Sequence, residues 1–149
     1  MTFTSLITNL FPAEAVSAHC DGPCGVYDPA SARIAAEAVV SMTKKIAALE
    51  GQADLNSLNN MSRYIAIKEE QAHIAKTEVL VLWTDYFKPV HLEKYPELHT
   101  LIWDTTKLLS ACKTHVDLDV ATQMMEKIQE IHRVFWASKG RDVTFYTAS

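Results

Sequence analysis

Residues 19–29 read His-Cys-Asp-Gly-Pro-Cys-Gly-Val-Tyr-Asp-Pro. His19 offers an imidazole, and Cys20 and Cys24 offer thiolates. Because His19 and Cys20 are adjacent, the backbone nitrogen of Cys20 lies between two side-chain donors. Closing these donors on one ion makes small chelate rings. Pro23 and Gly25 let the chain curl back so that Cys24 reaches the same ion, and the density of Gly, Pro and Asp marks a loop. A structural zinc site uses four side chains in a tetrahedron. Here only three are close, and no second Cys/His pair at finger spacing exists. Planar nitrogen and sulfur donors suit Ni(II) or Cu(II). A redox disulfide between Cys20 and Cys24 would account for the two sulfurs but leaves His19, Tyr27 and the preceding segment unexplained.

That segment, residues 1–18, contains no Lys or Arg, carries Glu14 as its one charged side chain and is interrupted by Pro12. A secretory signal needs a positive start and an unbroken apolar stretch, and this segment has neither in good form, although Val16-Ser17-Ala18 faintly resembles a small-residue cleavage site. It reads as a leader of another kind. If His19 became the first residue, its free amine would add a nitrogen donor. While the leader is attached, that nitrogen is an ordinary amide and a poor ligand.

The elements that must position the loop are helical. Asp28-Pro29 is a start signal, with Asp as cap and Pro at the first helical position. Ile34, Ala38, Met42, Ile46 and Leu49 then recur at steps of three and four, predicting one apolar face before Glu50-Gly51-Gln52. A second helix is expected from about Ser57 to Phe87, carrying Leu58, Met61, Ile65, Ala72 and Val79, and stopped by Lys88-Pro89. Pro96 opens a third, with Leu98, Ile102, Leu109 and Cys112 on one stripe. After a turn at 116–119, Val120, Met124, Ile128, Ile131 and Phe135 mark a fourth, ended by Lys139-Gly140. The expected fold is all-α: an antiparallel four-helix bundle over 29–140, a metal-binding hook at 19–28, and a tail at 141–149 with no assigned role.

Composition agrees. The chain of 149 residues suits one domain, and four Gly and five Pro favour helices over many-turned β architectures. A formal net charge of −4 with no basic tract argues against nucleic-acid binding. No apolar run approaches membrane-spanning length. Three cysteines do not make a disulfide scaffold, and Cys112 reads as a small buried apolar residue. Trp83 and Trp103 read as core aromatics, and His73, His91, His99, His115 and His132 as surface or helix-end residues. Glu70-x-x-His73 matches half of a di-iron carboxylate site. That site needs a second such motif and two further inward glutamates, and no second motif exists.

The run His19-Cys20-Asp21-x-Pro23-Cys24-Gly25-Val26-Tyr27-Asp28-Pro29 resembles the nickel hook of nickel superoxide dismutases. The resemblance continues in Trp83-Thr84-Asp85-Tyr86-Phe87-Lys88-Pro89 and in Glu93-Lys94-Tyr95-Pro96-Glu97-Leu98-His99-Thr100-Leu101, covering the chain from 19 to about 140. It implies a precursor cut just before His19 by a dedicated maturation peptidase. It implies nickel bound by the amine and imidazole of His19, the amide nitrogen and thiolate of Cys20, and the thiolate of Cys24. Tyr27 and Tyr86 would line the approach to the metal, Asp21 would hold the hook, and six copies would form a hollow cytoplasmic homohexamer. The reaction implied is disproportionation of superoxide anion by Ni(II)/Ni(III) cycling. Anionic sulfur and amide donors lower the Ni(III) potential into a useful range. Lys88 is the candidate for steering an anion toward an acidic protein. In relatives a glutamate on the first helix supports the axial imidazole and an arginine from a neighbouring subunit supports that glutamate. The matching positions here are Ala35 and Gln71, so imidazole support must come from elsewhere, with Gln71 and His73 across an interface as candidates. Two other classes compete: a nickel or copper carrier without turnover, and the di-iron bundle.

Overall fold

The computed structural model describes residues 25–148. Four long helices, α1 (Ala30–Ala47), α2 (Leu55–Val81), α4 (Leu98–Thr114) and α5 (Leu118–Ser138), form the bundle, with a short helix α3 (Pro89–Lys94) between α2 and α4. α1 packs on α2 and α5, and α4 packs on the same two helices, closing a ring around one core. The three-residue link after α4 forces α5 to run back along it. Among the described residues, no helix is long and apolar enough to cross a membrane.

The caps follow from local chemistry. Asp54 Oδ1 accepts from the backbone N–H of Asn56 and Ser57 at 3.0 and 3.1 Å, and Asp117 Oδ1 does the same for Asp119 and Val120 at 2.9 and 3.0 Å. The Ser57 hydroxyl, which donates to Asp54 Oδ2, and then the Ser57 and Asn56 N–H groups hold Asp54 below the usual carboxylate range. At α1 the cap position is Pro29, one residue later than expected, and Asp28 Oδ1 accepts from Ala30 N at 2.8 Å. Gly140 follows α5 at φ +68°, a left-handed ending that glycine adopts without strain.

The core confirms two stripes and corrects two. Leu98, Ile102, Leu109 and Cys112 of α4 are buried, as are Met124, Ile128, Ile131 and Phe135 of α5. On α1 the buried face is Ala32, Ala35, Ala36, Val39, Thr43 and Ile46, while Ile34 is 58% exposed. Alanines let α1 approach its neighbours closely, and their weak hydropathy hides the stripe that results. On α2, Leu58 and Ile65 are exposed, and the inward face is Ser57, Lys68, Ala72, Ala75 and Val79. Trp103 is 57% exposed with the Lys107 ammonium 4.2 Å from its ring centroid, contrary to a core assignment; Trp83 is half-buried against the core. His132, expected at the surface, is buried.

Lys68, 2% exposed, is the unexpected member of the interior. Its Nζ donates to the carbonyls of Cys112, Lys113 (3.1 Å) and His115 (2.8 Å) at the C-terminus of α4. Three donors meet three carbonyls that have no partner within the helix, at its negative end. Burial lowers the Lys68 ammonium from its ordinary value, with Cys112 and Glu69 opposing. Burial likewise pushes the Cys112 thiol up to about 11, which keeps it protonated and inert at neutral pH. Lys68→Met keeps the stem and removes the donors. It is expected to cost about 3 kcal/mol of stability, since hydrogen bonds to charged groups contribute ~1.5–3 kcal/mol and the carbonyls are left unpaired. Urea denaturation checks this, and an unchanged midpoint would contradict the capping role.

The tail folds back across the bundle. His132 Nε2 donates to the Val143 carbonyl at 2.8 Å, the Phe145 ring meets the His132 edge at 5.3 Å, and the Arg33 guanidinium lies 4.3 Å from the Tyr146 centroid. These contacts join the first turn of α1 to the last turns of α5.

Candidate metal centre and its cleft

His19, Cys20, Asp21 and Cys24 lie outside the described residues, as do the leader and the first part of the hook. The description begins at Gly25, directly after Cys24, in a left-handed turn with φ +63°. Tyr27 follows, half-buried and packed on the core, before Pro29 leads into α1.

The second tyrosine arrives from the far end of α2. There the helix widens into a π turn over Leu82–Tyr86, and Phe87 N donates to Leu82 O at 2.9 Å. Such a turn carries one extra residue and is frequent at functional sites. Phe87 is then extended, and Pro89 opens α3. The Tyr27 and Tyr86 rings come within 5.7 Å at 53°. Gly25, Tyr27, Asp85, Tyr86, Lys88, Val90 and His91 line a cleft of about 370 Å³. The structure thus brings Tyr27, Tyr86 and Lys88 together beside the residue that follows Cys24.

Tyr86 is held on several sides. Its ring stacks on His91 (5.4 Å, 12°) and packs on Phe87 and Phe135 at 5.1 and 4.5 Å. Its Oη lies 2.6 Å from Ser138 Oγ, and the Lys139 ammonium lies 5.2 Å from its centroid. His91 is in turn oriented by Lys88 N, which donates to its Nδ1 at 3.0 Å. Sequence reasoning missed Asp85, Val90, His91, Ser138 and Lys139. His91 had a local signal, three residues after Lys88 across a proline-opened helix. Ser138 and Lys139 had none.

Ala35 is 2% exposed within the bundle core and Gln71 is half-buried on α2. Arg33 and Glu37, on the same helix as Ala35, form an ion pair at 3.6 Å. Among the described residues, no group of three or more His, Cys, Asp or Glu side chains converges as a metal site, and Glu70 and His73 are both exposed on α2. The di-iron reading therefore has no support from the bundle interior. A larger cavity, about 660 Å³, lies under the tail against His132 and Trp136, and it shares no lining residue with the two-tyrosine cleft.

The described residues form an all-helical bundle with a two-tyrosine cleft at the segment that enters α1, and the His/Cys run of the sequence immediately precedes that segment. The model of the nickel-containing superoxide dismutase family matches residues 14–139, and the chain belongs to that family. The superoxide dismutase [Ni] of Streptomyces coelicolor is 48% identical over 135 residues, covering 90% of this chain and 98% of that protein. The enzyme of the same name from Streptomyces seoulensis is 46% identical with the same coverage. A native nickel superoxide dismutase structure matches with a TM-score of 0.73 at 48% identity, covering 82% of this chain and 99% of that one. A structure with nickel ligation of the oxidised state matches with a TM-score of 0.74 at 46% identity, with equal coverage.

Proposed function

We infer that this chain is a nickel-dependent superoxide dismutase, converting two superoxide anions and two protons to dioxygen and hydrogen peroxide. One observation carries the reading. In a chain that matches the family over 14–139, Gly25, the residue that follows the run His19-Cys20-x3-Cys24 in sequence, lines a cleft walled by Tyr27 and Tyr86. The donor set fits the metal: two thiolates and nitrogens at chelating spacing suit a planar ion. We propose His19, Cys20 and Cys24 as its ligands, with Asp21 bracing the loop. Nickel held there supplies one-electron exchange in both directions.

The remaining tasks fall to the protein. The two tyrosine rings narrow the cleft to small molecules, and their hydroxyls orient water and peroxide. Lys88 is exposed on the rim and Lys139 stands behind Tyr86, two cations set against Asp85 of the same cleft, so attraction of an anion to this chain of net charge −4 is assigned to these lysines. Exposed apolar residues on α1 and α2, among them Ile34, Leu58, Ile65 and Ile74, favour assembly with further copies. We propose a cytoplasmic homohexamer, matured by a peptidase that removes residues 1–18. With Ala35 and Gln71 in place of the usual carboxylate and arginine, support for the His19 imidazole is assigned to Gln71 or His73 of a neighbouring copy.

Superoxide decay followed optically after pulse radiolysis tests the activity. A chain starting at His19 should turn over in proportion to bound nickel and lose activity on chelation. Nickel binding without turnover would instead favour the carrier reading.

A further inference from the structure

We propose that Ser138 is a positioning residue that fixes Tyr86 as a hydrogen-bond acceptor toward the cleft, so that Tyr86 holds water or hydrogen peroxide and not the superoxide anion. The inference rests on the dismutase reading for its consequence, but its geometry stands on α5 and the π turn alone.

The direction of the hydrogen bonds follows from counting protons. Ser138 Oγ lies 2.6 Å from the Phe135 carbonyl, which can only accept, so the single hydroxyl proton of Ser138 is donated there. The 2.6 Å contact between Ser138 Oγ and Tyr86 Oη must then be donated by the phenol. The Tyr86 proton is therefore committed to Ser138, which does not line the cleft, and a ligand in the cleft that reaches the phenol oxygen meets only lone pairs. A superoxide anion presents no proton and is repelled by lone pairs; water and hydrogen peroxide present O–H groups and can donate to them. The chain Tyr86–Ser138–Phe135 ends on a carbonyl, so it orients the phenol and does not feed protons. Stacking on His91, the Phe135 contact and the Lys139 ammonium hold the ring against reorientation. Anion attraction is left to Lys88 on the rim.

Ultraviolet resonance Raman on the full chain, which needs no metal, tests the orientation. The tyrosine Fermi doublet distinguishes a donating from an accepting phenol, and subtraction of Tyr86→Phe isolates the Tyr86 component. That component should show a strong donor in the parent and in Ser138→Thr, and lose this signature in Ser138→Ala. In the nickel-loaded chain starting at His19, azide serves as a monovalent anion probe. Its inhibition constant should tighten about fivefold or more in Ser138→Ala, because the freed phenol can donate to an anion, and stay unchanged in Ser138→Thr. A Tyr86 component unaltered in Ser138→Ala overturns the orientation. An unaltered azide constant alongside a changed Raman component overturns its consequence. Absence of turnover in the parent would instead defeat the dismutase reading, while the Raman result would still decide the orientation.

Discussion

Replacing either Cys20 or Cys24 by Ser is expected to abolish nickel retention and superoxide turnover in the chain starting at His19, with activity falling by more than about 100-fold. Altering groups that merely support a ligand already costs ~10–100-fold in affinity or activity. Removal of a ligand itself is more severe. A thiol ionises near pH 8.5, and less than that beside a metal, whereas a serine hydroxyl stays protonated. Sulfur is also the soft donor that lowers the Ni(III) potential. The bundle offers a built-in control. Its core cluster runs from Ala32 to Phe135 and draws on the four long helices, so the helical signal and the urea midpoint should not change. Metal content by mass spectrometry together with pulse-radiolysis decay checks the prediction. Retained nickel and turnover in either variant would remove that cysteine from the ligand set.

The second large effect concerns the eighteen residues before His19. The full chain is expected to be inactive and to hold nickel far more weakly than the chain starting at His19. With the leader attached, the nitrogen of His19 belongs to a peptide bond, whose lone pair is delocalised into the carbonyl. Cleavage turns it into an amine with a free lone pair and opens the chelate of amine, imidazole and Cys20 amide on one ion. Nickel titration of both forms, followed by assay, measures the difference. Cleavage should raise turnover by at least about 100-fold, the loss of a ligand again exceeding the outer-shell range. Equal activity in the two forms would leave the leader without this role.

The parts of this account legible in sequence are those in which chemistry is local. The proposed ligands His19, Cys20 and Cys24 fall within six residues, so their spacing alone speaks for a metal. The stripes of α4 and α5 are legible because large apolar side chains recur at helical spacing on buried faces. The α1 stripe is not, because Ala32, Ala35 and Ala36 carry little hydropathy signal while Ile34, which does, points outward in a single copy. Lys68 defies the expectation that lysine is exposed, and its partners lie more than forty residues away on another helix. The cleft was half visible. Tyr27 and Tyr86 were found by motif, but Ser138 is separated from Tyr86 by 52 positions and joined to it only by folding. The tail read as featureless, since its anchors are single rings and one carbonyl whose partners Arg33 and His132 sit on different helices.

The most direct test of the central claim is the intact mass and metal content of the protein isolated from its own cell. A chain beginning at His19 with one nickel per copy is the predicted result. A superoxide-consuming protein that keeps residues 1–18, or one that contains no nickel, would contradict it.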